Sequence, residues 1–491
     1  MNLSLVLDMA CSGHPDRVAV SAADGAMTYA ELEAASRALA GTVRDVGATA
    51  VVHLGTNAAS LPVCLFGAAR AGVPFVPLNY RLAPAQLATL LADHAGALLV
   101  HEGSRPDGFA GTAMHRAAVT TGDQVVDQPE PPDDEELVAV TLYTSGTTSA
   151  PKAALLRHRH LMAYVLGTVE FGVASEDEAA LVTVPPYHIA GITNLVSNLY
   201  AGRRIVYLES FDPQSWLEAV RREAITQAMV VPTMLARVVD LLRDVGDAGT
   251  PTLRTLAYGG ARMPLPVLER ALTLFASTGF VNAYGLTETS STIALLGPDD
   301  HRAAMAAPDG PARARLASVG RLVPGIELEV RDEEGMVLPV GRTGLLFLRG
   351  EQVSGEYAGS SVLDAGGWFP TRDRGWVDDD GYLFLEGRAD DTIIRGGENI
   401  APAEIEDVLV EHPGVVDAVV VGVPDDEWGQ RLAAVVVRAD GSDVDSEELR
   451  AWVRARLRSS KTPDLVTFSA ELPRTDTGKL LRRKVLEELV P

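Results

Sequence analysis

The stretch LVAVTLYTSGTTSAPK, residues 137–152, joins an apolar segment to a loop rich in hydroxyl side chains. The apolar part predicts a buried strand. The loop offers many hydrogen-bond donors and one positive charge, which suits a polyphosphate, through Thr144, Ser145, Gly146, Thr147, Thr148, Ser149 and Lys152. A Walker A loop is excluded, because Pro151 has no N–H and Ala153 stands where a metal-binding hydroxyl is needed. The alternative is a flexible polar loop that binds nothing.

On both sides of this stretch, short apolar segments alternate with helical ones past residue 270, which predicts a mainly parallel α/β sheet. Thr28 and Glu31 fit a capping box at the start of one helix. From about residue 318 the residue pattern is typical of β-strands, and after residue 388 it is typical of a small α+β domain. We therefore expect a large N-terminal domain over 1–388 and a small C-terminal domain over 389–491.

The composition limits the kind of ligand. Sixty-six acidic against 42 basic residues give a formal charge of −24, which disfavours binding to nucleic acid, so any polyanion must be small and held locally. Two cysteines, Cys11 and Cys64, cannot form a disulfide framework. We find no signal peptide and no run of about 18 apolar residues, so we expect a cytoplasmic protein without integral membrane association.

Two further segments carry polar groups after apolar runs. In NAYGLTET, residues 282–289, Tyr284 beside Gly285 can expose a flat ring, and Glu288 can hold a hard divalent cation. Upstream, Gly259, Gly260 and Ala261 leave a strand end open to a planar ligand. A buried tyrosine and an ordinary glycine turn are the alternative interpretations.

A third group of residues lies toward the C-terminus. Asp373 can accept two ribose hydroxyls, and Arg388 presents a charged fork of donors. The alternative is a surface salt bridge of little energetic value. The segments around 396–399 (GGEN) and 475–479 (TDTGK) could each be simply a turn, and His188 could be structural.

Taken in order, five motifs resemble the adenylate-forming superfamily of acyl-CoA synthetases, adenylation domains and firefly luciferases, over about residue 10 to the C-terminus. They are YTSGTTSAPKAA, NAYGLTET, TRDRGW with DGY, GRADDTIIRGGENIAPAEIE and LPRTDTGK. The resemblance implies that the Thr144–Lys152 loop holds the β- and γ-phosphates of ATP. It implies an adenine site formed by Tyr284, Gly259, Gly260 and Ala261. It also places Thr287 near the α-phosphate, Mg2+ on Glu288, and the ribose on Asp373 and Arg388.

The resemblance implies roles for the C-terminal region too. Lys479 would reach the α-phosphate and the substrate carboxylate, and Asp390 would be the hinge for rotation of 391–491. Gly396, Gly397 and Glu398 would then border the pantetheine tunnel of coenzyme A, and His188 would gate the acyl pocket.

The expected enzyme is an ATP-dependent carboxylic acid–CoA ligase that forms an acyl-AMP and releases pyrophosphate, acting as a monomer or homodimer. We expect a hydrophobic monocarboxylic acid, a fatty acid first and an aromatic or polycyclic acid second. The alternatives are transfer to a carrier-protein thiol and a non-catalytic nucleotide-binding protein. Ser149, Ala153 and Arg372 depart from glycines usual in the superfamily, and residues 355–369 are shortened.

Overall fold

A computed structural model of the chain describes residues 1–106, 109–120, 130–144, 152–395, 398–425, 428–475 and 478–490. Its helices, in chain order, are α1 (Ser4–Gly13), α2 (Tyr29–Asp45), α3 (Ser60–Ala71), α4 (Pro84–Asp93), α5 (Arg116–Val119), α6 (His158–Thr168), α7 (Ile189–Ala201), α8 (Pro213–Arg222), α9 (Pro232–Leu241), α10 (Leu265–Leu274), α11 (Pro298–Ala306), α12 (Gly310–Ala314), α13 (Pro402–Val410), α14 (Ser446–Arg454) and α15 (Arg482–Leu489). Within the described ranges, none of these helices has the length and apolarity needed to cross a bilayer.

The strands belong to separate sheets. Those before residue 300 are β1 (Val18–Ala22), β2 (Gly25–Thr28), β3 (Val51–Leu54), β4 (Phe75–Pro77), β5 (Leu98–His101), β6 (Thr112–His115), β7 (Val138–Thr144), β8 (Lys152–Arg157), β9 (Ala179–Val182), β10 (Arg204–Tyr207), β11 (Gln227–Val230), β12 (Thr255–Gly259), β13 (Gly279–Leu286) and β14 (Ser291–Leu296). The later strands are β15 (Arg321–Leu322), β16 (Glu327–Arg331), β17 (Gly344–Arg349), β18 (Glu356–Tyr357), β19 (Ser360–Ser361), β20 (Phe369–Val377), β21 (Leu383–Arg388), β22 (Ile393–Arg395), β23 (Glu398–Ile400), β24 (Val415–Asp425), β25 (Gly429–Arg438) and β26 (Leu465–Ser469).

Two large sheets dominate the N-terminal part. One has the order β15-β14-β13-β12-β11-β9-β10-β1-β2, and the other has the order β19-β18-β8-β7-β4-β3-β5-β6. The strands from β13 to β1 in the first sheet pair in parallel. Helices α1, α2, α3, α6 and α7 bury apolar side chains together with strands of both sheets in one core. The predicted α/β class with parallel sheets is confirmed.

The first helix, α1, is a feature that the sequence reasoning missed. The strands β1 and β2 follow it, and the helix predicted to start at the Thr28 capping box is α2. Leu3, Val6 and Leu7 of the preceding segment are fully buried. At the start of α2, Thr28 accepts from the backbone N–H of Glu31, and the Glu31 carboxylate accepts from that of Thr28, which confirms the capping box.

The remaining sheets form the β-rich and C-terminal parts. Strands β16, β17, β20 and β21 make an antiparallel sheet that carries residues 371–388. Beyond it, β24, β25 and β26 pack against α13 and α14 around their own apolar core. The candidate site lies where β12 and β13 end, beside β8 and β20. Ligand sites in α/β sheets typically occur at such carboxyl ends of parallel strands.

Candidate active site

Glu288 lies in a tight turn between β13 and β14. Thr287–Thr289 form a single turn of 3₁₀-helix, and the Thr289 hydroxyl accepts from the Leu286 N–H at 3.0 Å. Ser290 and Ser291 follow with φ values of 52° and 94°, a left-handed conformation that costs energy for residues other than glycine. Glu288 is 9% exposed. The turn therefore holds one acidic group in a fixed place at the end of a strand.

Gly285 makes this turn possible. It pairs with Thr292 across the two strands, and a side chain at Gly285 would collide with the backbone carbonyl of Ser291. The glycine in the sequence NAYGLTET is therefore required by the close approach of β13 and β14. A role of Gly285 in nucleotide binding stays a prediction.

Asp373 on β20 contacts both Tyr284 and Arg388, two residues that the sequence analysis predicted in the nucleotide site. The Tyr284 hydroxyl donates to its Oδ2, and Arg388 Nη1 lies 3.2 Å from its Oδ1. Burial and the adjacent Asp373 charge raise the pKa of Tyr284, so the phenol stays a donor. Burial also raises the pKa of Asp373, while the charges of Arg388 and Lys479 act in the opposite direction. Asp373 is 7% exposed, so this is not a surface salt bridge.

Tyr357 on β18 belongs to the same cluster, and the sequence analysis did not predict it. Its hydroxyl donates to Glu288 Oε1, and its ring centroid lies 5.6 Å from Lys152 Nζ. Burial and the Glu288 charge raise the pKa of Tyr357, while Arg372 and Arg388 lower it. Tyr357 lies in the shortened stretch 355–369, and no sequence motif marked it as a site residue.

The base of the predicted phosphate loop is part of β7 and β8. Thr144 pairs with Lys152 across the two strands, and its hydroxyl donates to the Lys152 carbonyl at 3.3 Å. The loop is thus closed at its two ends by an antiparallel pair. Ser145, Gly146, Thr147 and Thr148 lie outside the described residues.

The glycines predicted to line adenine lie at the end of β12. Gly259 pairs with Ala283 of β13, and a side chain on Gly259 would collide with the Ala283 carbonyl. Gly260 follows with a φ of 82°, and Ala261 continues the turn. This strand end is parallel to the one that carries Tyr284, so the residues share one edge of the sheet.

Lys479 is brought to the cluster by the C-terminal part of the chain. Gly478, at φ 78°, lies so close to Thr233 of α9 that a side chain there would collide with it. The Lys479 N–H donates to the Thr475 hydroxyl at 3.0 Å, and its ammonium is close enough to offset part of the rise that burial causes in the pKa of Asp373. An ion pair between Arg262 and Asp407 of α13 also joins the two parts of the chain.

Two neighbouring carboxylates lie at the junction after β21. Arg372 Nη1 lies 3.5 Å from Asp390 Oδ2, and Arg482 Nε of α15 lies 3.3 Å from Asp391 Oδ2. Asp390 is therefore paired with the β20 side of the junction, whereas Asp391 is paired with the C-terminal side. Arg372 has a φ of 63°, which explains why a glycine is usual at its position.

His188 and Glu398 are two further residues of the predicted site. His188 precedes α7, its carbonyl accepts from the Gly191 N–H at 2.9 Å, and its ring lies 4.8 Å from that of Tyr187. Glu398 accepts from Arg458 at 2.6 Å. Gly396 and Gly397 lie outside the described residues, so the tunnel edge stays a prediction.

The cluster suits a small anion with a divalent cation. Lys152, Arg388 and Lys479 supply positive charge around Glu288 and Asp373. Within the described parts of the chain, no three His, Cys, Asp or Glu side chains group so as to hold a metal ion by themselves. No described residue donates to Glu288 Oε2 or forms an ion pair with this buried carboxylate. In proteins, Mg2+ is usually bound by one or two carboxylates together with the phosphate oxygens of a substrate.

Comparison with known proteins agrees with this arrangement. The profile of the AMP-binding enzyme family matches residues 7–358, and that of the AMP-binding enzyme C-terminal domain matches residues 404–479. The chain is 37% identical over 486 residues to feruloyl-CoA synthase of Amycolatopsis sp, covering 96% of each chain. It is 33% identical over 496 residues to the fatty acid–[acyl-carrier-protein] ligase ScoC of Streptomyces coeruleorubidus, covering 96% of this chain and 93% of that one.

Among solved structures, the ATP-bound MatB of Rhodopseudomonas palustris superposes with a TM-score of 0.88 at 26% identity over 99% of both chains. These matches span nearly the whole sequence, and they include both the N-terminal part and the C-terminal part. The chain therefore belongs to the AMP-binding enzyme family, and it is an acid–thiol ligase.

Proposed function

We propose that this enzyme is an ATP-dependent carboxylic acid–CoA ligase that works through an acyl-adenylate. The observation that carries the proposal is the meeting of three segments distant in sequence: Asp373 on β20 accepts a hydrogen bond from Tyr284 of β13, four positions before Glu288, and the charge of Lys479 from the C-terminal part acts on Asp373. A buried acid with an open oxygen, a ribose-type acceptor and a mobile cation are the groups that adenylation needs.

The chemistry proceeds in two balanced steps. A carboxylate oxygen attacks the α-phosphorus of ATP, a new P–O bond forms, and the bond to the β-phosphate oxygen breaks to release pyrophosphate. The sulfur of CoA then attacks the acyl carbon, its proton is lost, and AMP leaves with the former carboxylate oxygen. Negative charge collects between carboxylate and phosphate in the first step, so fixed cations and positioning dominate the rate.

We assign the nucleotide to the edge formed by β12, β13 and β20. Asp373 accepts the ribose hydroxyls, since each of its oxygens can accept more than one hydrogen bond besides those from Tyr284 and Arg388. Tyr284 and the backbone of 259–261 line adenine. Thr287 lies next to Glu288 and faces the α-phosphate in this proposal.

The phosphates are assigned to the loop that ends at Lys152, with Mg2+ on Glu288. The cation would neutralise phosphate charge as pyrophosphate leaves. Glu288 suits it because the residue is buried, Tyr357 occupies only Oε1, and no described residue forms an ion pair with the carboxylate.

We further propose that Asp390 is the hinge between domains 1–388 and 389–491. The pairing of Asp390 with Arg372 and of Asp391 with Arg482 supports it, because each carboxylate is held from a different side of the junction. Rotation about this point would withdraw Lys479 after adenylation and let the thiol approach, with Gly396, Gly397 and Glu398 along its path. A mobile domain of this kind separates two half-reactions in one pocket.

The acid we propose is a hydrophobic monocarboxylic acid. Tyr80, Tyr187 and His188 place three rings in succession, with centroids 5.8 Å and 4.8 Å apart, beside the start of α7. Those three rings and the feruloyl-CoA synthase relative support a proposal in which aromatic acids rank ahead of the fatty acids that the sequence favoured. His188 would gate this pocket.

A carrier-protein thiol is the second candidate acceptor, because one relative is a fatty acid–[acyl-carrier-protein] ligase. The experiment supplies ATP, Mg2+ and a panel of aromatic and fatty acids, then measures pyrophosphate release and identifies the thioester by mass. We expect acyl-CoA from at least one hydrophobic acid. Thioester formation only with a phosphopantetheinylated carrier would select the second acceptor, and ATP binding without turnover would contradict the ligase.

A further inference from the structure

Residues 354–358 connect the Glu288 turn to strand β8, which begins with Lys152. The Ser354 N–H donates to the Glu288 carbonyl at 2.8 Å, and the Ser354 hydroxyl donates to the Leu155 carbonyl at 2.8 Å. The Ala358 N–H donates to the Ala153 carbonyl at 2.9 Å. This short segment therefore holds the backbone of both elements that carry the charged groups.

Tyr357 makes the same connection with its side chain. The backbone of Tyr357 pairs with Ala154 of β8. Its hydroxyl donates to Glu288 Oε1, and its ring lies against Lys152 Nζ at 5.6 Å, a distance typical of a cation–π contact. One side chain thus contacts an acid and a base with two chemically different parts.

We propose that Tyr357 is a positioning residue that fixes Glu288 with its hydroxyl and Lys152 with its ring. The inference rests on the proposed function, which assigns Glu288 to the cation and Lys152 to the phosphates. Because the hydroxyl occupies Oε1, the carboxylate cannot rotate freely, and Oε2 is directed to a second partner. The ring limits where the flexible lysine side chain can place its ammonium.

The two parts of Tyr357 predict different results for two variants. Tyr357→Phe removes the hydroxyl and keeps the ring, so it should weaken ATP binding in Mg2+ roughly tenfold or more, as expected for one lost bond to a charged group. In EDTA, ATP binding to Tyr357→Phe should match that of the unchanged enzyme. Tyr357→Leu removes both parts, so it should weaken ATP binding in EDTA as well.

Calorimetric titration with ATP, in Mg2+ and in EDTA, measures these affinities without requiring turnover. Tyr382→Phe is a matched control, because the Tyr382 hydroxyl donates to Asp300 at 2.6 Å outside the cluster. It should leave ATP binding unchanged in both buffers. Thermal unfolding of each variant shows that the fold is retained.

A double-mutant cycle with Glu288→Gln distinguishes positioning from a general structural effect. On the Glu288→Gln background, Tyr357→Phe should lower MgATP affinity less than twofold further, since the hydroxyl acts through that carboxylate. Independent effects that multiply, or equal losses for Tyr357→Phe in Mg2+ and EDTA, would overturn the proposal. If Tyr357→Phe behaves as predicted but no acid supports pyrophosphate exchange, the positioning role stands and the proposed reaction fails.

Discussion

Removal of Arg388 should leave a buried charge without its partner. Arg388 Nη1 lies 3.2 Å from the carboxylate of Asp373, and two unit charges at that distance attract each other by about 5 kcal/mol at an effective dielectric constant of about 20. The Arg388 side chain is 32% exposed, so water screens part of this attraction. We therefore expect Arg388→Ala to lower the free energy of unfolding by about 2 kcal/mol.

Equilibrium urea denaturation at pH 7 measures the loss, with Arg302→Ala as control. Arg302 pairs with Asp299 at 2.6 Å on the surface, with side chains 62% and 97% exposed, so its loss should cost under about 0.5 kcal/mol. Asp373→Asn added to Arg388→Ala removes the unpaired charge and should restore about 1 kcal/mol. Equal stability of Arg388→Ala and Arg302→Ala, with no recovery in the double variant, would show that Arg388 does not stabilise a buried Asp373 charge.

The remaining predictions concern catalysis, acid stability and the hinge. Lys479→Ala should slow pyrophosphate exchange by roughly two to three orders of magnitude but spare thioester formation from supplied acyl-adenylate, and equal losses in both assays would argue against its role. Burial lowers the pKa of His53 and His158 to about 4 and that of His160 to about 3, from an ordinary value of 6.5. The unfolded chain therefore takes up protons at these histidines before the folded chain does, so the free energy of unfolding is full above pH 6.5 and falls as the pH drops below it. Urea denaturation should show about 2 kcal/mol lost per histidine between pH 7 and 5, and an unchanged urea midpoint would contradict this. Arg372→Gly should be about 1 kcal/mol more stable than Arg372→Ala in urea denaturation, because only glycine adopts the left-handed backbone of this position without strain. A more stable Arg372→Ala would contradict this prediction.

Sequence reasoning predicted the parts of the fold that have a strong periodic signal. The capping box at Thr28 and Glu31, the alternating strands and helices, and the small C-terminal unit all follow from local spacing. Helix α1 was missed because its apolar residues pack against helices that are distant in sequence, and a short apolar run does not show what covers it.

The site was predictable where motifs carry it and not where contacts form only in space. Tyr284, Asp373 and Arg388 were placed in one nucleotide site, and the structure joins them directly. Tyr357 lies on a two-residue strand, and its link to Glu288 spans 69 positions, which no local pattern records. Arg372 was noticed as a departure from glycine, but only the structure shows its left-handed backbone and its ion pair with Asp390, the proposed hinge.

The most direct test of the account is the exchange of labelled pyrophosphate into ATP with each acid of the panel. An enzyme that joins an acid to AMP reversibly must return label to ATP when its acid is present. We predict exchange above the acid-free background with at least one hydrophobic acid, and its loss in Lys479→Ala. Exchange at background with every acid, in a preparation that binds ATP, would contradict the central claim.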